Sequence, residues 1–132
     1  MRLYIASHSQ ESARHLKEAV EAAGLTIVSQ WITADLKFSH GAAAYSDEER
    51  IYLATMDEND VRRADALIVI AEQEGKMVPG GKHVETGIAI ALNKPVIVLG
   101  RRENIFHWHP RVQIVPAVDD LLNALSRLKD LT

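Results

Sequence analysis

Cysteine is absent from the 132 residues, which removes disulfides, thiolate nucleophiles and cysteine-based metal sites and fits a reducing compartment. Aromatic residues are scarce, at 5%, so any stacking surface must come from very few side chains. Basic runs are missing too, and 15 Lys and Arg stand against 18 Asp and Glu for a net charge of -3. Such a chain has no electrostatic reason to bind a nucleic-acid polymer or an anionic membrane. No apolar stretch approaches the ~18–20 residues that span a bilayer. The opening Met1-Arg2-Leu3-Tyr4-Ile5-Ala6 is interrupted by Ser7-His8-Ser9 too soon to act as a signal peptide. Repeats, low-complexity tracts and linkers are lacking. The expectation is a single domain, residues 1–132, in the cytoplasm.

What is present alternates. Leu3–Ala6 reads as a strand, and Glu11–Ala23 as a helix with Ala13, Leu16, Val20 and Ala23 on one face and Gly24 at its stop. Leu25–Ile32 reads as a second strand, and residues 33–46 as a loop. Ser46 with Glu49 forms a capping-box pattern for a helix running towards Ala64. Ala66–Ala71 has the continuous apolar character of a buried parallel strand. A helix from about Gly81 to Leu92 follows, with Val84, Ile88 and Ala91 as its expected buried stripe. Val96–Leu99 and Gln113–Val118 read as further strands, and Asp119 as the cap of a last helix. Strands alternating with helices imply an α/β fold of Rossmann type: a three-layer sandwich with a parallel sheet of about five strands. Ligands of such sheets bind at the carboxyl ends of strands. That places Ser7–Gln10, the loop after Ile32 and Glu72–Gly81 at the candidate site.

Gly80-Gly81 at a strand-to-helix turn lets a ligand approach the backbone and the first helical N–H groups, which favour an anion. Glu85 lies one turn inside, where the helix dipole favours an ionised carboxylate. A carboxylate beside a sugar can attack its anomeric carbon, and a Glu in a first turn is also favoured by electrostatics alone. Neither GxGxxG nor a P-loop occurs.

Three stretches carry a resemblance: Ala64–Ile70, Gly80-Gly81-Lys82-His83-Val84-Glu85-Thr86-Gly87-Ile88-Ala89, and Lys94–Gly100. Together they resemble the nucleoside 2-deoxyribosyltransferase family, whose superfamily includes the 2-deoxynucleoside 5-monophosphate N-glycosidases. The resemblance makes Glu85 the nucleophile. It gives Asp57, eight residues before Asp65, the role of contacting the deoxyribose, and it leaves Asp65 structural. Where many transferases carry an Asp, and the monophosphate hydrolases a Ser, six residues before the nucleophile, this chain has Pro79. Pro79-Gly80-Gly81-x-x-x-Glu85 is similar also to the signature of phosphoribohydrolases of the lysine-decarboxylase-like type. Both families act on an N-glycosidic bond, and the resemblance implies a homodimer or higher homo-oligomer with no cofactor. A different class remains open, a non-catalytic nucleotide-binding or sensing module on the same fold.

Tyr4, Ser7 and His8 end the first strand and are candidates, with Gly80, Gly81 and His83, for holding the nucleoside or nucleotide. Lys82 reads as part of a solvated helix terminus, and Arg101-Arg102 as solvated. Trp31, Phe38 and Tyr45 flank the long loop as stacking candidates, with core packing the commoner role for Trp31. His107-x-His109 has no carboxylate or Cys at matching spacing, so no metal is expected.

Overall fold

A computed structural model describes residues 1–36, 42–73 and 80–130. Among the described residues five strands and four α-helices follow in the order β1 (Arg2–Ala6), α1 (Gln10–Ala22), β2 (Thr26–Ile27), α2 (Asp47–Arg63), β3 (Ala66–Ile70), α3 (Gly81–Ala91), β4 (Val96–Leu99), β5 (Val112–Val115) and α4 (Val118–Asp130). The sheet is parallel throughout, in the order β2-β1-β3-β4-β5. The chain leaves β1 towards one edge and returns past it to β3, so the switch in strand order lies between β1 and β3. Right-handed crossovers then put α1 on one face of the sheet and α2 with α3 on the other, and α2 packs against α3. Leu3, Tyr4, Ile5, Ile68 and Val69 are wholly buried at the centre. Among the described residues no helix is long and apolar enough to cross a membrane.

Local chemistry explains the boundaries. Ser46 and Glu49 exchange side-chain and backbone hydrogen bonds in a full capping box at the start of α2. Its far end is closed by Lys94, whose ammonium donates to the carbonyls of Arg62 (2.6 Å) and Ala64. Gly24 follows α1 with φ of 86°, a left-handed position that suits glycine.

Several expectations need correction. Strand β2 covers only Thr26–Ile27 of the expected Leu25–Ile32, and the chain turns into a short 3-10 helix at Gln30–Ile32. Side chains have taken over the ladder there: Ser29 Oγ accepts from Ile5 N at 3.0 Å and Trp31 Nε1 donates to Ile5 O at 2.8 Å. Trp31 is therefore a core residue. The buried stripe of α3 is Lys82, Thr86 and Ala89, while Val84 is 63% exposed and Ala91 is exposed. Polar groups could turn inward because each finds a partner, Thr86 Oγ1 donating to Lys82 O at 2.9 Å and Lys82 meeting Glu103. Strand β5 ends at Val115, three residues before the expected limit, and α4 begins at Val118, so Asp119 lies inside the first turn. Phe38 and Pro79 lie outside the described residues.

Asp60 is fully buried on α2 and ties the 3-10 segment to it. Its carboxylate accepts from Gln30 N (2.8 Å), Gln30 Nε2 (2.9 Å) and Arg63 (2.6 Å). Removing a buried acceptor with charged and neutral partners costs ~2–4 kcal/mol. Asp60→Ala is accordingly expected to lose that much in urea unfolding at pH 7, and a loss below about 0.5 kcal/mol would contradict the assignment.

Candidate active site

Three of the residues singled out from the sequence meet between α2, α3 and the sheet. Tyr4 projects from β1, wholly buried, and its hydroxyl donates to Glu85 Oε2. Asp57, one turn before Asp60 on α2, comes close enough for its charge to act on both Tyr4 and Glu85. Its Oδ1 is buried and has no hydrogen-bond partner among the described residues. Two carboxyls and a phenol thus share one poorly hydrated space at the level of the strand switch.

The electrostatics follow from that crowding. Burial pushes the Glu85 carboxyl up to about 8; the Tyr4 hydrogen bond opposes the rise and the Asp57 charge adds to it. Burial, with the Asp60 charge behind it, raises Asp57 to about 6. Tyr4 is held well above the usual phenol range, by burial first and then by the charge of Glu85, so it stays a donor. The helix dipole invoked from the sequence acts in the other direction and is outweighed.

The remaining candidates are not brought to this trio. Ser7 Oγ closes a tight turn with Ser9, accepting from Ser9 N at 3.1 Å and lying 3.2 Å from Ser9 O, and His8 is exposed at the same strand end. Gly80 and Gly81 are exposed at the start of α3, where an added Cβ would meet nothing within 4 Å. Their absence of side chains leaves the backbone open, with no steric need for glycine. His83 faces away from Glu85, its ring centroid 5.7 Å from that of His107. A cavity of about 600 Å³ lies between α2 and the 3-10 segment, lined among others by Gln30, Leu36, Tyr45, Tyr52, Leu53 and Met56, and none of Tyr4, Asp57 and Glu85 lines it.

A family profile described as nucleoside 2-deoxyribosyltransferase matches residues 3–113. The chain belongs to this family. Solved structures agree on the fold. A CMP N-glycosidase of Clostridium botulinum, BcmB, is 16% identical with a TM-score of 0.61, covering 96% of this chain and 99% of its own. A 2-deoxyribosyltransferase of Bacillus psychrosaccharolyticus is 20% identical with a TM-score of 0.67, over 93% of this chain and 91% of its own. BlsM, solved in solution, is 20% identical with a TM-score of 0.56, over 92% and 85%. A sequence search of curated proteins finds no match.

Two features escaped the sequence reading because they depend on the tertiary fold. Asp60 carries nothing in its local sequence that marks it as buried. Lys82 looked like a solvated helix end, yet it is 4% exposed and its ammonium lies 2.5 Å from Glu103 Oε1. Glu103 also gathers His83 and His107 around it, with one donor atom of each residue within 4.8 Å of the others. This family member therefore has an apparent His-Glu-His metal set. Two observations argue against a metal there. The Lys82 ammonium already occupies the cation's place beside Glu103. His107 Nδ1 accepts from the Glu103 backbone N–H at 3.0 Å, which puts the ring proton on Nε2, the atom a metal would need bare.

The buried carboxyl has a thermodynamic signature. Glu85 binds a proton in the folded chain up to about 8, against an ordinary 4.5, so across that interval the folded state holds the extra proton. Stability from this group is therefore lost as pH rises through the interval. Glu85→Gln, which cannot ionise, is expected to gain roughly 1–3 kcal/mol on wild type between pH 5 and pH 9. Chemical denaturation at the two pH values measures this, and a difference independent of pH would refute it.

Proposed function

We propose that this family member cleaves or transfers at the N-glycosidic bond of a deoxynucleoside or its 5′-monophosphate, with Glu85 as the nucleophile. The observation that carries the reading is the convergence of Tyr4, Asp57 and Glu85 from three separate elements into one buried polar space. Family membership supplies the bond type. The named activities of BcmB and the B. psychrosaccharolyticus protein, a CMP N-glycosidase and a 2-deoxyribosyltransferase, agree with it.

In this reading an ionised Glu85 oxygen attacks C1′ of the sugar. The C1′–N bond electrons leave with the base, which takes up a proton, and the sugar remains as an ester on Glu85. Water or a second base then attacks C1′ and frees the carboxylate. Tyr4 orients Glu85 through its hydroxyl, and Asp57 orients the sugar. The cavity lined by α2 and the 3-10 segment falls within the roughly 300–1,000 Å³ typical of small-ligand sites, and Tyr45 and Tyr52 give it aromatic walls for a base. Gly80 and Gly81 offer open backbone to an anionic group, and Ser7 and His8 stand at the carboxyl end of β1, where such sheets hold ligands; His83, turned to His107, is given no substrate contact. Exposed Ile105, Phe106 and Trp108 after β4, with Ile51, Tyr52 and Val84 on α2 and α3, support a homo-oligomer.

The test is base release from each deoxynucleoside and deoxynucleoside 5′-monophosphate, with and without an acceptor base, alongside the mass in solution. Wild type is expected to release or exchange base. Glu85→Ala should lose at least about 10³-fold, and Tyr4→Phe and Asp57→Asn about 10–100-fold. Because only ionised Glu85 attacks, kcat/KM should rise with pH to a plateau above about 8. Nucleotide binding that survives Glu85→Ala, with no base ever released, would favour the sensing module instead.

A further inference from the structure

Helix α3 begins with little to hold it. Gly80 occupies the cap position without a side-chain cap, Gly81 follows it, and a side chain at either would meet nothing within 4 Å. Yet Glu85, one turn further on, has to meet the Tyr4 hydroxyl within hydrogen-bond tolerance. The anchor is Lys82. Its ammonium, with 1% of the side chain exposed, donates to the carbonyl of Ile70 at the end of β3 (3.1 Å) and pairs with Glu103 (2.5 Å). Glu103, with 5% of its side chain exposed, is itself fixed. Its second oxygen accepts from Glu72 N at 3.0 Å, just past β3, while Arg101 Nε donates to Glu72 O at 3.0 Å. Burial alone would raise the Glu103 carboxyl, but the Lys82 and Glu72 bonds outweigh it and hold it below its ordinary value.

Residues 82 and 85 are three apart, about 60° around a helix, and lie on the same side of α3. Pinning Lys82 to the end of β3 and to the segment after β4 therefore sets both the height and the rotation of the turn that carries Glu85.

We propose that the buried Lys82–Glu103 pair is the positioning device of the active site, seating the first turn of α3 so that Glu85 meets Tyr4. The proposal rests on the N-glycosidic reading for its catalytic consequence, but its geometric content stands apart. Neither residue belongs to the Tyr4–Asp57–Glu85 trio. Loss of one partner strands a buried charge and can unfold the chain, whereas removing both charges in similar shapes is often tolerated. The informative variant is thus the double substitution Lys82→Met with Glu103→Gln, in which the amide oxygen can still accept from Glu72 N.

The experiment measures three things on wild type, the double variant and Lys82→Arg: unfolding stability, the NMR titration of the Glu85 carboxyl, and base release. The groups around Glu85 are Tyr4 and Asp57, with Asp60 behind Asp57, and none of them is altered. The double variant is expected to stay folded. Its Glu85 midpoint should fall by at least about one unit from about 8 as the loosened turn admits water. Its kcat should drop about 10–100-fold with KM little changed, and Lys82→Arg should restore wild-type behaviour. A folded double variant with an unmoved Glu85 titration overturns the proposal whatever the assay shows. Wild type that releases no base overturns the N-glycosidic reading and leaves the titration to judge positioning. Stoichiometric zinc bound by wild type and lost in His107→Ala would also overturn it, making the cluster a metal centre.

Discussion

The hydrogen bond from Tyr4 to Glu85 is the contact on which the site depends, because it joins the central strand to the start of α3 in a part-buried place. Making it requires β1 beside β3, which the parallel order β2-β1-β3-β4-β5 provides. It also requires α2 and α3 on one face of the sheet, so that Asp57 arrives from the side. The cost is electrostatic: two carboxyls stand close together with a phenol above them, and burial works against ionising either. A carboxyl held near neutrality in this way is suited to a reaction in which it must form and then release a bond.

A second buried pair lies on the neighbouring side of the same helix turn. There the charges are opposite, Lys82 with Glu103, and backbone groups of Ile70 and Glu72 complete their hydrogen bonds. The difference is one of sign: opposite charges meet at Lys82 and Glu103, whereas two carboxyls meet at Glu85 and Asp57. Among the described residues Asp57 Oδ1 is left unpartnered, as are His83 Nδ1 and His107 Nε2 beside Glu103. Unsatisfied buried polar atoms are rare in folded proteins and need an explanation, and at Asp57 a sugar hydroxyl is the occupant that the proposed chemistry would bring.

Much of this was legible from residues alone. The apolar runs at Leu3–Ala6, Ala66–Ala71 and Val96–Leu99 read as strands because each is short and continuously apolar between segments of helical period. Ser46 and Glu49 marked the start of α2 through local bonding, which needs no tertiary information. The failures share one cause. Leu25–Ile32 has strand composition, but Ser29, Gln30 and Trp31 bond to Ile5 and Asp60, residues distant in sequence. Lys82 and Thr86 broke the apolar stripe of α3 because Glu103 neutralises one and the helix backbone satisfies the other. Tyr4, Asp57 and Glu85 were each nameable, whereas their mutual contact was not, since it spans 81 residues. Ser7, His8 and His83 were named with them on position alone; Ser7 Oγ bonds within its own turn and the His83 ring lies beside that of His107.

The central claim is that Glu85 forms a bond to the sugar. The direct measurement is peptide mass mapping after the wild-type protein is mixed with a deoxynucleoside substrate and quenched in acid within a turnover. The account predicts a deoxyribosyl or deoxyribosyl-phosphate mass added to the peptide containing Glu85, absent in Glu85→Gln and discharged by water or an acceptor base. Base release that proceeds at the same rate in Glu85→Gln, or an adduct mapped to another residue, would contradict it.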